Sequence, residues 1–417
     1  MPEPTEFEVR TVDPADYDAY TKFASRQFHA TTWHPSEAHT AYRARRFAQY
    51  RTTAGYAGDR MVGTFLSWDE PLAVPGGLIN ADYVSLVTVT PTYRRRGVLT
   101  AMMTEDLSQA KESGTAVAYL IASSAEIYGR YGYGVCTEHA TWTVDADATR
   151  FRLSEEAAGL IVELTDDAGL TEIAPAVYDA AYVRQPGAKR RDEMWWQATL
   201  GQAGLADDQP NAFRNAAYVV DGATPVAYAR YQVKESSEQR VDTSRLEIRD
   251  LSASTDAGYA RIWQFLASID LVTTLSAGDR PVEEPLPWLL TDRRSARQSQ
   301  RADFSWARLL DVAKALSTRR YLAEGRCVLE VVDRAGLAGG RFRLEAEASG
   351  VGRATATADR PDVTLDVSTL GSAYLGEVSL HGLAAAGLVE EHTDGAVRRL
   401  SALLRFPATT WNTHTWF

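Results

Sequence analysis

The chain has 417 residues, is 45% hydrophobic and 24% charged, and carries a formal net charge of -11. That length predicts two or three domains at roughly 100–200 residues each, with an ordinary globular composition, and the acidic balance argues against general nucleic-acid binding, which shows a broad basic face. Two cysteines, Cys136 and Cys327, make neither a metal cluster nor a disulfide framework, and no apolar run approaches the roughly 20 residues of a membrane span. The opening MPEPTEFEVR does not read as a signal peptide, so a cytoplasmic protein without membrane or nucleic-acid partners is expected.

In chain order, FEVRTVD predicts a strand and PADYDAYTKFASRQFH a helix. Two strand-rich segments follow, AGYAGDRMVGTFLSWDEP and GLINADYVSLVTVT, separated by a Pro-Gly-Gly turn. GVLTAMMTEDLSQAKESG sets Leu99, Met102, Met103, Leu107 and Ala110 on one helical stripe and stops at Gly114. AVAYLIASS reads as a buried strand, and the glycine-rich YGRYGYG comes after it. Residues 1–150 are thus expected to form a mixed α/β domain.

A second unit, 151–300, runs through the same kinds of element. AYVVDGATPVAYARYQVKES parallels the first strand pair, and SRLEIRDLSASTDAGYARIWQFLASID parallels DYVSLVTVTPTYRRRGVLTAMMTEDL, which predicts a degenerate internal repeat. Arg94-Arg95-Arg96-Gly97 in the first copy becomes Asp256-Ala257-Gly258-Tyr259 in the second. From 301 to 417 the pattern changes. CVLEVVD, GRFRLEAEA, GRATATA and DVTLDVS predict an antiparallel strand set, followed by helices around TLGSAYLG and GAVRRLSALLRF. The chain ends PATTWNTHTWF, and a tail this aromatic predicts insertion into the protein rather than exposure to water.

The stretch VTVTPTYRRRGVLTAMM carries the most chemistry. A strand turning into a helix N-terminus presents unpaired backbone N–H groups, a glycine allows close approach, and arginines give bidentate, charge-assisted contacts to phosphate oxygens. Such a corner suits a pyrophosphate, although three adjacent charges also make an ordinary solvated turn. It matches neither the P-loop nor the dinucleotide-binding glycine pattern. It resembles motif A of the GNAT superfamily of N-acetyltransferases. With IYGRYGYG after IASS, a second domain without the arginines and an aromatic C-terminus, the whole chain resembles the Eis family.

That resemblance implies an α/β (α+β) fold of two GNAT-like mixed-sheet domains in tandem and a C-terminal sterol-carrier-protein-like domain. It implies a homohexameric N-acetyltransferase that takes acetyl-CoA as co-substrate, needs no metal, and acetylates amines of aminoglycoside-like or polyamine substrates, often at several positions. Leu86, Val87, Thr88 and Val89 would line the pantetheine arm; Arg94, Arg95, Arg96, Gly97, Val98, Leu99 and Thr100 would surround the phosphates; Ser123 and Ser124 would complete the co-substrate site.

Acetyl transfer needs a neutral amine and a proton for the departing thiolate, and amines near ~10.4 and thiols near ~8.5 make a base and an acid useful. By resemblance the acid is Tyr128; the residues alone leave Tyr131 and Tyr133 as competitors. By resemblance the base is the main-chain carboxylate of Phe417, held by Trp411, Trp416 and its own ring. A free α-carboxyl near ~3.5 is a poor base, so desolvation or a water relay must assist it. Phe28, Trp33, Glu37 and Trp416 are the substrate-side candidates; the family often has an acidic residue where Trp416 stands. His29, His34 and His39 are read as an incidental cluster rather than a metal site. A protein-lysine or small-amine acetyltransferase, and a non-catalytic acyl-CoA or lipid binder, are the rival readings.

Overall fold

The computed structural model describes residues 7–29, 36–202, 215–236, 243–406 and 415. The first unit runs β1 (Glu8–Thr11), α1 (Tyr17–Gln27), α2 (Glu37–Phe47), β2 (Arg51–Ala57), β3 (Arg60–Val74), β4 (Gly77–Val89), α3 (Val98–Glu112), β5 (Val117–Ile121), α4 (Ala125–Tyr128), β6 (Gly134–Val135) and β7 (Glu138–Asp145). Gly76, at φ +69°, supplies the left-handed residue that the β3–β4 turn needs. Helix α3 buries Val98, Met102, Met103, Leu107 and Ala110, so Val98 replaces the expected Leu99, which is half-buried. The helix lies close on the sheet because the strands beneath it are bare. A Cβ on Gly55 would stand 2.7 Å from Val98 Cγ1, and one on Gly63 would stand 3.1 Å from Met102 Cε and 3.2 Å from Val98 Cγ1.

The second unit contains α5 (Glu155–Gly159), β8 (Ile161–Thr165), α6 (Leu170–Tyr182), α7 (Glu193–Thr199), β9 (Asn215–Asp221), β10 (Thr224–Ser236), β11 (Thr243–Ala253), α8 (Asp256–Leu266), β12 (Val272–Arg280), α9 (Leu286–Leu289), β13 (Ala296–Asp303) and β14 (Ser305–Leu309). The repeat is present in the pairing. β2, β3 and β4 are antiparallel and β5 then joins β4 in parallel; β9, β10 and β11 are antiparallel and β12 joins β11 in parallel.

Sheet pairing crosses both expected boundaries, 150/151 and 300/301. The first sheet has the order β1-β2-β3-β4-β5-β14-β6, and the second β13-β7-β12-β11-β10-β9-β8. Strand β7 therefore leaves the first unit to lie between β12 and β13, and β14 returns to lie between β5 and β6. Each strand satisfies backbone groups that would otherwise stand at a bare sheet edge.

The third unit comprises α10 (Val312–Thr318), β15 (Gly325–Val332), β16 (Gly340–Ala346), β17 (Gly352–Ala356), β18 (Val363–Asp366), α11 (Val367–Ala373), α12 (Leu380–Ala385), β19 (Val389–Glu391) and α13 (Ala396–Leu404). The two expected helices are α11 and α13. The strand set is not wholly antiparallel as expected, because β18 pairs in parallel with β15. Its connection from β17 carries the chain back past β16 to the far side of β15. Helix α11 seats directly on the first sheet. A Cβ on Gly134 would fall 1.9 Å from the Ser368 carbonyl oxygen, and one on Gly371 would fall 2.3 Å from that of Ala307.

Glu377, just past α11, is pushed up to about 8, first by burial and then by Glu138 and Glu283, against the pull of Arg301 and of a backbone hydrogen bond. A carboxyl raised in the folded chain contributes stability at low pH that is lost as pH climbs through the folded value. Unfolding temperature should therefore fall between about pH 5 and pH 9, and Glu377→Gln should flatten that part of the curve. An unchanged slope in the variant would assign the fall elsewhere.

Candidate active site

β4 stays paired with β3 as far as Val89, but its parallel pairing with β5 ends at Val84 opposite Leu120. Across that divide β5 turns to β14, pairing through Ile121 and Ser305. Two residues of β4, Leu86 and Val87, face the single Phe65 of β3, and Leu86 adopts φ +47°. This bulge bends β4 away and opens a wedge between the parallel strands. Along Ser85–Val89 the β5-facing edge has no ladder partner among the described residues. The Thr88 side chain is turned inward, 2.6 Å from the Thr64 hydroxyl, so Thr88 faces the wedge with its backbone.

The arginine corner caps one end of the wedge. Gly97 is the N-cap of α3, at φ +90°, and Arg95 is held at φ +62°. A non-glycine residue in this region costs of order 1–3 kcal/mol, and such outliers gather at functional sites. Arg94, Arg95 and Arg96 are all exposed, and the Arg96 guanidinium rests 4.9 Å from the Tyr93 ring centre. If the corner holds a pyrophosphate, changing all three arginines to Gln should raise the KM for acetyl-CoA at least ~100-fold, since each charge-assisted bond contributes about 1.5–3 kcal/mol. A KM within threefold of the parent would remove the corner from the site.

The glycine-rich loop closes the other side, and it separates the three tyrosines. The Tyr133 hydroxyl is buried 3.9 Å from Met103 Sδ, beneath α3. The Tyr131 hydroxyl lies 3.0 Å from Thr100 Oγ1, tying the loop to the first turn of α3. Tyr128 is buried and meets Tyr133 edge-on, with ring centres 6.2 Å apart. Burial pushes its phenol up to about 12, partly offset by a hydrogen bond with Ser123. At neutral pH it is a protonated donor. The co-substrate candidates Leu86–Val89, Arg94–Thr100 and Ser123–Ser124 thus border the same wedge as Tyr128.

Two residues outside the expected set brace this loop. Arg308 of β14, fully buried, donates to the Tyr131 carbonyl oxygen and binds both carboxylate oxygens of Asp333, at 3.2 and 2.9 Å. Asp333 belongs to the third unit and also accepts from the amides of Ala335, Leu337 and Ala338. The visible signal was a lone arginine inside the apolar run SWARLL.

The equivalent wedge of the second unit is filled by its own side chains. Parallel pairing of β11 and β12 stops at Ile248 opposite Ala277. Beyond it the buried Arg280 donates to the Leu251 carbonyl oxygen at 3.0 Å and pairs with Glu284 at 2.8 Å. Tyr259 of α8, whose N-cap is Thr255 where α3 has Gly97, is hydrogen-bonded to the same Glu284. Asp256, the first residue of α8, puts a negative charge at that helix N-terminus, where the first turn of α3 has none.

Of the residues expected to meet the acceptor, Phe28 caps α1 and is 47% exposed, and Glu37 opens α2 in solvent. Trp33 lies outside the described residues, as do His34, Trp411, Trp416 and Phe417. Among the described residues no group of three or more His, Cys, Asp or Glu side chains could hold a metal, and no helix is long and apolar enough to cross a membrane.

Residues 8–136 and 187–309 each match a family described as an acetyltransferase (GNAT) domain, and residues 312–413 match a sterol carrier protein domain. Over 355 residues the chain is 35% identical to the N-acetyltransferase Eis of Mycobacterium bovis, covering 83% of each protein. The chain belongs to the Eis family of GNAT N-acetyltransferases. It is also similar to an uncharacterised N-acetyltransferase of Streptomyces griseus, with 38% identity over 97% of this chain and 98% of that one. The crystal structure of Eis1 from Mycobacterium abscessus superposes with a TM-score of 0.83 at 27% identity, over 98% of this chain and all of that one. As an Eis-family enzyme it is an acyltransferase built from two GNAT domains and a sterol-carrier-like domain. The second GNAT match runs to Leu309 and so includes β14, the strand that the fold lends to the first sheet.

Proposed function

We propose that this Eis-family enzyme transfers acetyl from acetyl-CoA to amines of aminoglycoside-like or polyamine substrates, in the wedge of the first GNAT unit. The observation that carries this reading is the open wedge itself. β4 offers an unladdered edge from Ser85 to Val89, with the arginine corner at one end and a protonated Tyr128 beside it, while the second wedge is plugged by Arg280. Backbone groups of Leu86–Val89 would bond the pantetheine arm, and the α3 N-terminus with Arg94–Arg96 the pyrophosphate.

The amine nitrogen attacks the thioester carbon and the C–S bond breaks. Tyr128 donates its hydroxyl proton toward the departing sulfur, while the amine proton passes to the terminal carboxylate of Phe417. Desolvation would make that carboxylate a better base than it is in water. Phe28, Trp33, Glu37 and Trp416 are the proposed acceptor-side contacts, where aromatic faces and a carboxylate suit cations. A homohexamer is the proposed assembly.

The test is acetyl-CoA-dependent thiol release by the untagged chain, with a multi-amine aminoglycoside as acceptor and product masses read in parallel. Release that depends on the acceptor, with acetyl added to it, supports the reading. Acetyl-CoA binding without acceptor-dependent release overturns the substrate class, and no binding overturns the co-substrate site.

A further inference from the structure

The wedge is open because β4 is bulged, and two hydroxyl groups hold the bulge. Thr64 of β3 is fully buried, and its hydroxyl donates to the Leu86 carbonyl oxygen at 2.7 Å. A carbonyl oxygen only accepts, so the one proton of Thr64 is committed there. The 2.6 Å contact with Thr88 therefore runs the other way, from the Thr88 hydroxyl to that of Thr64. This chain, Thr88 to Thr64 to Leu86, straddles Val87 and ties down the residue at φ +47°. Tyr20 of α1, also fully buried, lays its phenol against Thr64 and the Phe65 backbone, so Thr64 is backed by a helix.

The same residues border the open edge. Thr90 donates to the Val62 carbonyl oxygen of β3 at 2.9 Å. Strand alternation then turns the N–H and C=O of Val89 away from β3 and toward the wedge. The second unit differs at this place. The ladder pair beside its bulge is Arg230 with Asp250, where the first unit has Thr64 with Thr88. Both members of that pair are held by charge: Arg230 forks onto Asp167 at 2.8 and 2.9 Å, and Arg191 forks onto Asp250 at 2.8 and 3.1 Å. The hydroxyl pair thus goes with the open wedge, and the charged pair with the one that Arg280 fills.

We propose that Thr64 is a positioning residue for acetyl-CoA: by holding the Leu86 carbonyl and the Thr88 side chain, it sets the β4 edge that receives the pantetheine arm. This rests on the reading of the first wedge as the acetyl-CoA site.

Thr64→Val puts a methyl group where the hydroxyl meets the carbonyl oxygen. Carbon keeps roughly 3.3–3.6 Å from such an oxygen, so the bulge must shift; Thr64→Ser keeps the hydroxyl. Calorimetry reads binding of two probes, acetyl-CoA and its nucleotide half, 3′-phospho-ADP, which has no pantetheine arm. In Thr64→Val the Kd for acetyl-CoA should rise ~10- to 100-fold, and Thr64→Ser should recover the parental value. The Kd for the nucleotide half should stay within about twofold in both variants, which also shows that the unit is folded. Parental affinity for acetyl-CoA in Thr64→Val would overturn the positioning role. An equal loss for both probes would overturn it too, as damage to the whole unit. A parent chain that binds acetyl-CoA no more tightly than the nucleotide half would remove the arm from the β4 edge, and the role of Thr64 with it. A parent that binds neither probe would overturn the co-substrate site itself.

Discussion

Tyr128→Phe should lower kcat for acetyl transfer by ~10²- to 10³-fold while leaving the KM for acetyl-CoA within about threefold. The phenol is buried among apolar neighbours and its ring contributes to packing against Tyr133, so phenylalanine keeps the fold and loses the proton. The pH dependence follows from the upward shift. A phenol near about 12 stays protonated throughout the neutral and mildly alkaline range, so Tyr128 should produce no alkaline loss of kcat below about pH 10. The same surroundings desolvate the departing thiolate and raise its basicity, which narrows the gap between donor and acceptor. A kcat in Tyr128→Phe within threefold of the parent would transfer the acid role to another group. Tyr131 would be next, because its hydroxyl already contacts the first turn of α3.

Asp333→Ala should destabilise the chain by about 3–5 kcal/mol, the cost of stranding a buried charge whose partner has gone. Arg308 and Asp333 are 0% and 2% exposed, so water cannot take over the role of the carboxylate. Loss of the carboxylate also releases three amides of the third unit. Below the melting temperature the variant should show a lower kcat, since Arg308 then holds the Tyr131 carbonyl without its own brace. Urea unfolding measures the first effect and initial rates the second. A loss below about 1 kcal/mol would show that the pair is dispensable to the fold.

The arginine corner was legible in sequence because all its parts are local. A β-branched strand, a proline, three charges, a glycine and an apolar helix stand within one short stretch, and each acts on its immediate neighbours. The repeat was legible for the same reason. Of the helical stripe, Met102, Met103, Leu107 and Ala110 are buried as expected, and only its first member differs, Val98 being buried in place of Leu99. What the sequence hides is long-range pairing. Nothing in EHATWTVD or SWARL says which sheet each strand enters, since alternation specifies a face and not a neighbour. β18 reads as any half-buried strand, and its parallel partner is chosen by the path of the chain. The Arg308–Asp333 pair spans 25 positions and has no local signature beyond an arginine among apolar residues. The filled second wedge likewise depends on where β12 ends.

Strand exchange also sets a timetable for synthesis. The first sheet lacks β14 until Leu309 has been made, although β5 and β6 are complete by Val135. At roughly 5–20 residues per second, a ribosome takes on the order of 10–30 s to cover that interval. Throughout it the catalytic sheet waits with β5 unclosed on one side, and the nascent chain must keep that edge from other partners. A gene cut between the two GNAT halves would make that waiting permanent.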